Sequence, residues 1–198
     1  WYAGMEGGKA LAEVLFGKVN PSGRLPESFP FSHMDCPAHC IGEFPGGKTV
    51  AYREGIFVGY RYYETRQMPV AFPFGYGLSY TEFTYERLKA RVKGNGNGAK
   101  VQVTLGVVNT GAMKGKEVVQ LYVGRKNSGE DRPIRELKAF DKISLKPGEI
   151  KNLEFMLDME AFSYYDEKEK EFRVEKGTYI ISVCRSAHEV WMETEVEL

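Results

Sequence analysis

The stretch Val101-Gln102-Val103-Thr104-Leu105-Gly106-Val107-Val108-Asn109 places an apolar residue at every second position from Val101 to Val107. A period of two puts those side chains on one face of the chain, the pattern of a half-buried β-strand. Leu153, Phe155 and Leu157 repeat it. Outward from Val101–Asn109, further strands are predicted over Phe83–Val92, Glu117–Gly124, Arg135–Leu145, Lys151–Leu157, Glu171–Glu175, Tyr179–Ser186 and Val190–Leu198. Turn-forming stretches separate them: Gly94-Asn95-Gly96-Asn97-Gly98, Asn109-Thr110-Gly111, Pro147-Gly148-Glu149 and Lys176-Gly177. Short strands at this spacing, with tight turns between them, predict an antiparallel β-sandwich of immunoglobulin-like type.

The texture before residue 81 is different. Gly4–Phe16 carries Ala10, Leu11, Val14 and Leu15 at helical spacing, Gly17 at the position of a C-terminal cap, and Asn20-Pro21 to stop continuation. Arg24–Phe29 reads as a short strand interrupted by Pro26, Phe31–Lys48 as a loop, Tyr52–Glu64 as a run dense in aromatic and buried-type residues, and Phe72–Tyr80 as an extended segment pressed against another surface. The chain of 198 residues balances 27 lysines and arginines against 27 aspartates and glutamates, so a nucleic-acid partner is not expected. With 42% hydrophobic residues it has enough apolar material for a packed core, and disorder is excluded. No apolar run approaches the roughly 20 residues of a membrane helix, so no membrane partner is expected either. Trp1 opens the sequence without a leader and reads as a cut from something longer. The three cysteines, Cys36, Cys40 and Cys184, do not form the even set of a secreted disulfide framework, which favours a reducing, cytoplasmic compartment. Cys184, inside a strand-like run, reads as a small buried hydrophobe.

Candidate chemistry is sparse. His33, Cys36, His39 and Cys40 supply metal-ligand types, but adjacent His39 and Cys40 lack the separated ligand pairs of a structural zinc site. A plain loop, or a local Cys36–Cys40 disulfide in an exported protein, are the alternatives. Glu54, in the aromatic run, is the candidate for a buried carboxylate paired with Arg53 or Arg61. Asp166, Glu167, Glu169 and Glu171 alternate with Lys168 and Lys170 as a solvated turn does. Lys114-Gly115-Lys116 and Arg132-Pro133-Ile134-Arg135 read as small basic rims, and Tyr164-Tyr165 as aromatics able to stack on a sugar ring. There is no Gly-x-Ser-x-Gly elbow, and Gly7-Gly8-Lys9 lacks the rest of a phosphate loop. The residues by themselves assemble no catalytic constellation.

Several stretches, in order, resemble glycoside hydrolase family 3, the family of β-glucosidases and β-xylosidases. They are Trp1–Gly17, Asn20-Pro21-Ser22-Gly23-Arg24-Leu25-Pro26, Tyr52-Arg53-Glu54-Gly55-Ile56-Phe57-Val58-Gly59-Tyr60-Arg61-Tyr62-Tyr63, Pro73-Phe74-Gly75-Tyr76-Gly77-Leu78-Ser79-Tyr80, Gly115–Val123, and Arg132-Pro133 with Glu136–Phe140 and Leu145–Glu149. The loop with Cys36 and Cys40 lies outside the resemblance. It implies a mostly β fold: a fragment of an α/β sandwich domain over residues 1–80, then a fibronectin type III-like antiparallel sandwich over 81–198. It also implies a retaining β-glycosidase acting on terminal β-linked sugars, with an aspartate nucleophile and a glutamate acid/base about 5–5.5 Å apart. Both are expected upstream, so no catalytic residue is assigned to this chain, and neither Glu43 nor Glu54 is promoted to either role. No cofactor and no metal are expected, and the expected partners are the remainder of the same enzyme and its β-linked oligosaccharide or glycoside. The alternative is a free-standing carbohydrate-binding or adhesion module built on the sandwich. If the chain is the tail of an enzyme, apolar groups over residues 50–80 should lie exposed and favour association.

Overall fold

The computed structural model of the chain describes residues 3–198. Two antiparallel sheets face each other. One carries β1 (Phe83–Lys93), β2 (Lys100–Asn109) and β5 (Ile150–Asp158) in the order β1-β2-β5. The other carries β3 (Gly115–Arg125), β4 (Glu136–Leu145), β8 (Thr178–Cys184) and β9 (Val190–Glu197) in the order β4-β3-β8-β9. Between β5 and β8 lies a small hairpin of β6 (Ser163–Asp166) and β7 (Glu171–Val174).

The alternation in β2 does what its period requires. Val101, Val103, Leu105 and Val107 are buried and meet Val119, Leu121 and Val123 of β3, with Ile143, Leu145, Ile181, Val183, Phe162 and Tyr179 completing the core. Each such side chain contributes about 1.5–3 kcal/mol by leaving water, and this is the source of the sandwich's stability. The Tyr179 hydroxyl, inside that core, donates to the carbonyls of Phe162 and Glu175 at 3.1 and 2.8 Å, so no polar atom of the ring is stranded.

Of the residues before β1, Tyr60 and Phe74 pack on the outer face of the four-stranded sheet. Helix α1 (Gly7–Leu15) is followed by extended chain, a 3-10 turn at His33–Asp35, helix α2 (Pro37–Cys40) and helix α3 (Tyr60–Thr65). The loop predicted over Phe31–Lys48 thus contains two short helical turns. Ser32 starts the first: its hydroxyl accepts from Met34 N–H while the Asp35 carboxylate accepts from Ser32 N–H. The strand predicted over Arg24–Phe29 does not form. Leu25 N–H donates to the Tyr76 carbonyl and Gly75 N–H to the Leu25 carbonyl, and pairing resumes only at Phe29 and Phe72, because Pro26 has no N–H to carry the ladder across. Strand β6 escaped the sequence pattern, since its four residues are half-buried or exposed.

Burial is uneven. Helix α1 buries no residue, and Leu11, Leu15 and Phe16 are 60%, 67% and 82% exposed. The expected exposure over residues 50–80 is present at Tyr52, Ile56, Val58, Leu78 and Tyr80, but it extends back to Met5. Among the described residues no helix is long and apolar enough to cross a membrane.

A second, smaller cluster sits on the outer face of the four-stranded sheet, where Tyr122, Cys184 and Ala187 pack with Tyr60, Phe74, Leu137 and Val190. Burial pushes the Cys184 thiol up from 9.0 to about 12. Burial likewise raises the Tyr122 hydroxyl above its usual 10.0. The folded chain therefore keeps a proton on Cys184 that the unfolded chain releases. The stability linked to it is complete below pH 9.0 and is lost as pH rises toward about 12. The expected outcome is that Cys184 resists iodoacetamide at pH 8 while exposed Cys40 reacts, and that urea midpoints fall on going from pH 8 to pH 11. Mass mapping of alkylated thiols and denaturation at each pH check this; rapid labelling of Cys184 in the folded chain would contradict it.

Candidate functional site

A set of buried polar contacts joins residues 20–80 to the four-stranded sheet. It is built around Glu117. In β3, Glu117 shares the inward phase of Val119 and Leu121, so its side chain turns toward the core and is buried. A carboxylate there requires partners, because an isolated buried charge is several kcal/mol unfavourable. It has two: the Tyr85 hydroxyl donates to Oε1 at 2.6 Å, and Arg24 Nη2 donates to Oε2 at 2.6 Å. Burial first, and then the Glu117 charge, raise the Tyr85 hydroxyl far above the usual tyrosine range, so it remains a donor. Arg24 arrives from the Asn20-Pro21-Ser22-Gly23 turn. Gly77 makes the approach possible, since a Cβ there would overlap the Gly23 carbonyl and the Arg24 side chain.

Four further groups of contacts continue the joint. Asn20 Nδ2 donates to the Lys114 carbonyl, and its Oδ1 accepts from Ser79 Oγ and Tyr80 N–H. Gln120 Nε2 donates to the carbonyls of Gly75 and Arg185, while its Oε1 accepts from the Tyr122 hydroxyl. Gly75 has φ of 80°, and any Cβ at this residue would strike the Gln120 amide, so both its conformation and its neighbour require glycine. Tyr60 stacks on Phe74 at 4.8 Å and meets Tyr122 edge-on at 5.8 Å, and its hydroxyl accepts from Leu137 N–H at 2.9 Å. On α3, Glu64 is buried against Arg135 at 3.3 Å with His188 at 3.5 Å, and Arg61 pairs with Glu136 at 3.0 Å.

Several sequence expectations need correction at this point. Glu54 is half-buried and pairs with neither Arg53 nor Arg61; Arg53 pairs with Glu43 at 2.9 Å, and Arg61 with Glu136. The buried carboxylate of the aromatic run is Glu64, which α3 turns toward β4. Arg135 belongs to this joint and not to a solvated rim, and Lys114 contributes its carbonyl to Asn20. Glu117, Tyr85, Arg24 and Glu64 are the residues that sequence reasoning missed. Glu117 did leave a signal, a carboxylate at the inward phase of an otherwise apolar strand.

The remaining candidates take structural places. His33 and His39 meet edge-on at 5.3 Å, His39 lies 4.6 Å from the Phe44 ring, and the thiols of Cys36 and Cys40 are free. The alternative of a Cys36–Cys40 disulfide is therefore not what the chain forms here. Among the described residues no group of three or more His, Cys, Asp or Glu side chains is arranged to hold a metal. Asp166 closes the β6–β7 turn by accepting from Lys168 and Glu169 N–H. Those contacts, the Glu169 N–H foremost, and Arg173 hold its carboxyl below the usual range. The carboxylates of Glu64 and Glu117 are both committed to guanidinium partners.

This geometry defines a class: an immunoglobulin-like sandwich to which a largely irregular preceding segment is locked through a buried ion pair. Residues 1–80 match the family model of the glycosyl hydrolase family 3 C-terminal domain, and residues 117–187 match that of the fibronectin type III-like domain. The thermostable β-glucosidase B of Acetivibrio thermocellus is 45% identical over 192 residues, covering 96% of this chain and 25% of that protein. The family 3 β-glucosidase structure from Bifidobacterium adolescentis superposes with a TM-score of 0.91 at 41% identity, over 100% of this chain and 29% of that one. The β-glucosidase of Kluyveromyces marxianus in complex with glucose superposes with a TM-score of 0.92 at 42% identity, over 100% and 24%. The chain belongs to glycoside hydrolase family 3, and it spans about a quarter of the length of these relatives.

The joint makes a direct prediction. Removing one member of a buried pair strands the other, so Arg24→Ala and Glu117→Ala should each cost about 3–5 kcal/mol, whereas the double variant should cost clearly less than the sum. Urea denaturation of the four proteins measures this. Additive losses would show that the pair does not couple.

Proposed function

We propose that this chain is the non-catalytic part of a retaining β-glycosidase, a β-glucosidase before a β-xylosidase, that hydrolyses terminal β-linked sugars. Residues 1–80 complete the enzyme's α/β sandwich domain, residues 81–198 form the fibronectin type III-like sandwich that braces the catalytic domains, and the partner is the remainder of the same enzyme. The aspartate nucleophile and glutamate acid/base lie outside this chain.

The observation that carries this reading is the contrast between the two sides of the preceding segment. Its side toward the sandwich carries buried ion pairs and hydrogen-bonded amides, with Nε of Arg24 and of Arg135 left there without a hydrogen-bond partner. Helix α1, by contrast, presents Leu11 and Leu15 to solvent and buries nothing. An apolar stripe left open in this way belongs against another surface. A free-standing sugar-binding module would leave this helix face without a purpose. The β-glucosidase names of the relatives support the choice of substrate.

The test is hydrolysis of an aryl β-glucoside. This polypeptide alone should show no turnover, and a longer polypeptide that adds the upstream sequence should turn the substrate over with retention. Turnover by the chain alone, lost on Glu54→Gln, would overturn the assignment.

A further inference from the structure

One surface borders the joint at Arg61 and Glu136 and lies apart from the open face of α1. A cleft of about 1260 Å³ is lined by residues 53–57 with Arg61 and Arg66, by 130–133 and the β4 start at Glu136–Lys138, by the end of β5, and by the β6–β7 hairpin. Ligand pockets for small molecules are typically about 300–1,000 Å³, so this one has room for more than a single sugar ring. Resting on the glycosidase reading above, we propose that the cleft is a binding site for a neutral β-linked oligosaccharide, held by the aromatic hairpin.

Its aromatic side carries the proposal. Tyr165 and Phe172 are cross-strand neighbours in the hairpin, 5.3 Å apart and edge-to-face. They remain 50% and 72% exposed. Neither belongs to the sandwich core, and a pair of large apolar rings on a short hairpin costs solubility unless something covers it. The rest of the lining is polar and of mixed charge, with more carboxylates than cations. Arg61 and Lys138 both pair with Glu136, at 3.0 and 3.2 Å, and Arg53 pairs with Glu43 at 2.9 Å. A lining without a cationic excess does not focus a field for a phosphate or a nucleic acid. The remaining N–H groups of these cations, and the carboxylate of Glu54, which makes no ion pair among the described residues, offer donors and an acceptor to hydroxyls. Apolar ring faces opposite fixed donors and acceptors match a sugar, which presents C–H faces and equatorial hydroxyls. The hydroxyls of a neutral saccharide require no counter-charge.

The experiment uses the full-length enzyme with its active site blocked by a covalent glucosyl inactivator, titrated calorimetrically with cellotetraose and, separately, laminaritetraose. One remaining binding event is expected with at least one of the two. Tyr165→Ala and Phe172→Ala should each weaken it tenfold or more without lowering the melting temperature. Phe140→Ala, an exposed aromatic of β4 outside the cleft, should leave it unchanged. No binding to the blocked enzyme, or binding indifferent to both hairpin variants, would overturn the proposal. Loss of melting temperature together with binding would assign the hairpin to packing and also overturn it. If the unblocked enzyme fails to hydrolyse aryl β-glucosides, the glycosidase reading falls by that assay, and titration of the unmodified protein still judges the cleft.

Discussion

The buried contact of Arg24, Glu117 and Tyr85 is the constraint from which the arrangement of the first 80 residues follows. A carboxylate on the inward phase of β3 is tolerable only when a cation and a hydroxyl meet both of its oxygens. Tyr85 comes from the facing sheet, so Glu117 ties the two layers of the sandwich together. Arg24 comes from the preceding segment, so the same carboxylate fixes where that segment crosses the sheet. The crossing in turn demands Gly77 beside it. Chain that has little regular structure of its own is thereby positioned by a few polar contacts of good geometry. Such contacts specify position more than they add net stability, which the apolar core supplies.

The sandwich was legible in the sequence because its signal is local. Period-two patterning at Val101–Val107 and Leu153–Leu157, with glycine and proline between the runs, fixes strands and faces without knowledge of their partners. The joint was not legible, because its residues are far apart in the chain. Nothing near Arg24 announces Glu117, 93 residues away, and nothing near Glu64 announces Arg135, 71 residues away. Glu54 stood out by its nearness in sequence to Arg53 and Arg61, whereas helix α3 turns Glu64 inward and leaves Glu54 beside a cleft. The glycines of Phe72–Tyr80 marked a close approach but not what approached, which proved to be the Gln120 amide and the Arg24 side chain.

The physical picture of function is one of asymmetry. On the sandwich side, apolar groups are buried and the buried carboxylates of Glu117 and Glu64 are paired; on the far side, α1 presents Leu11 and Leu15 to solvent. Unequal completion of this kind predicts unequal local stability, since a helix with no buried face opens at little cost while central strands open only with the whole domain. The direct measurement is native-state hydrogen exchange of this chain, alone and as part of the longer enzyme. Amides of Gly7–Leu15 should exchange almost unprotected in the isolated chain while those of Gly115–Arg125 are protected to the global limit, and α1 should become protected in the longer polypeptide. Equal protection of α1 and β3 in the isolated chain would contradict the account.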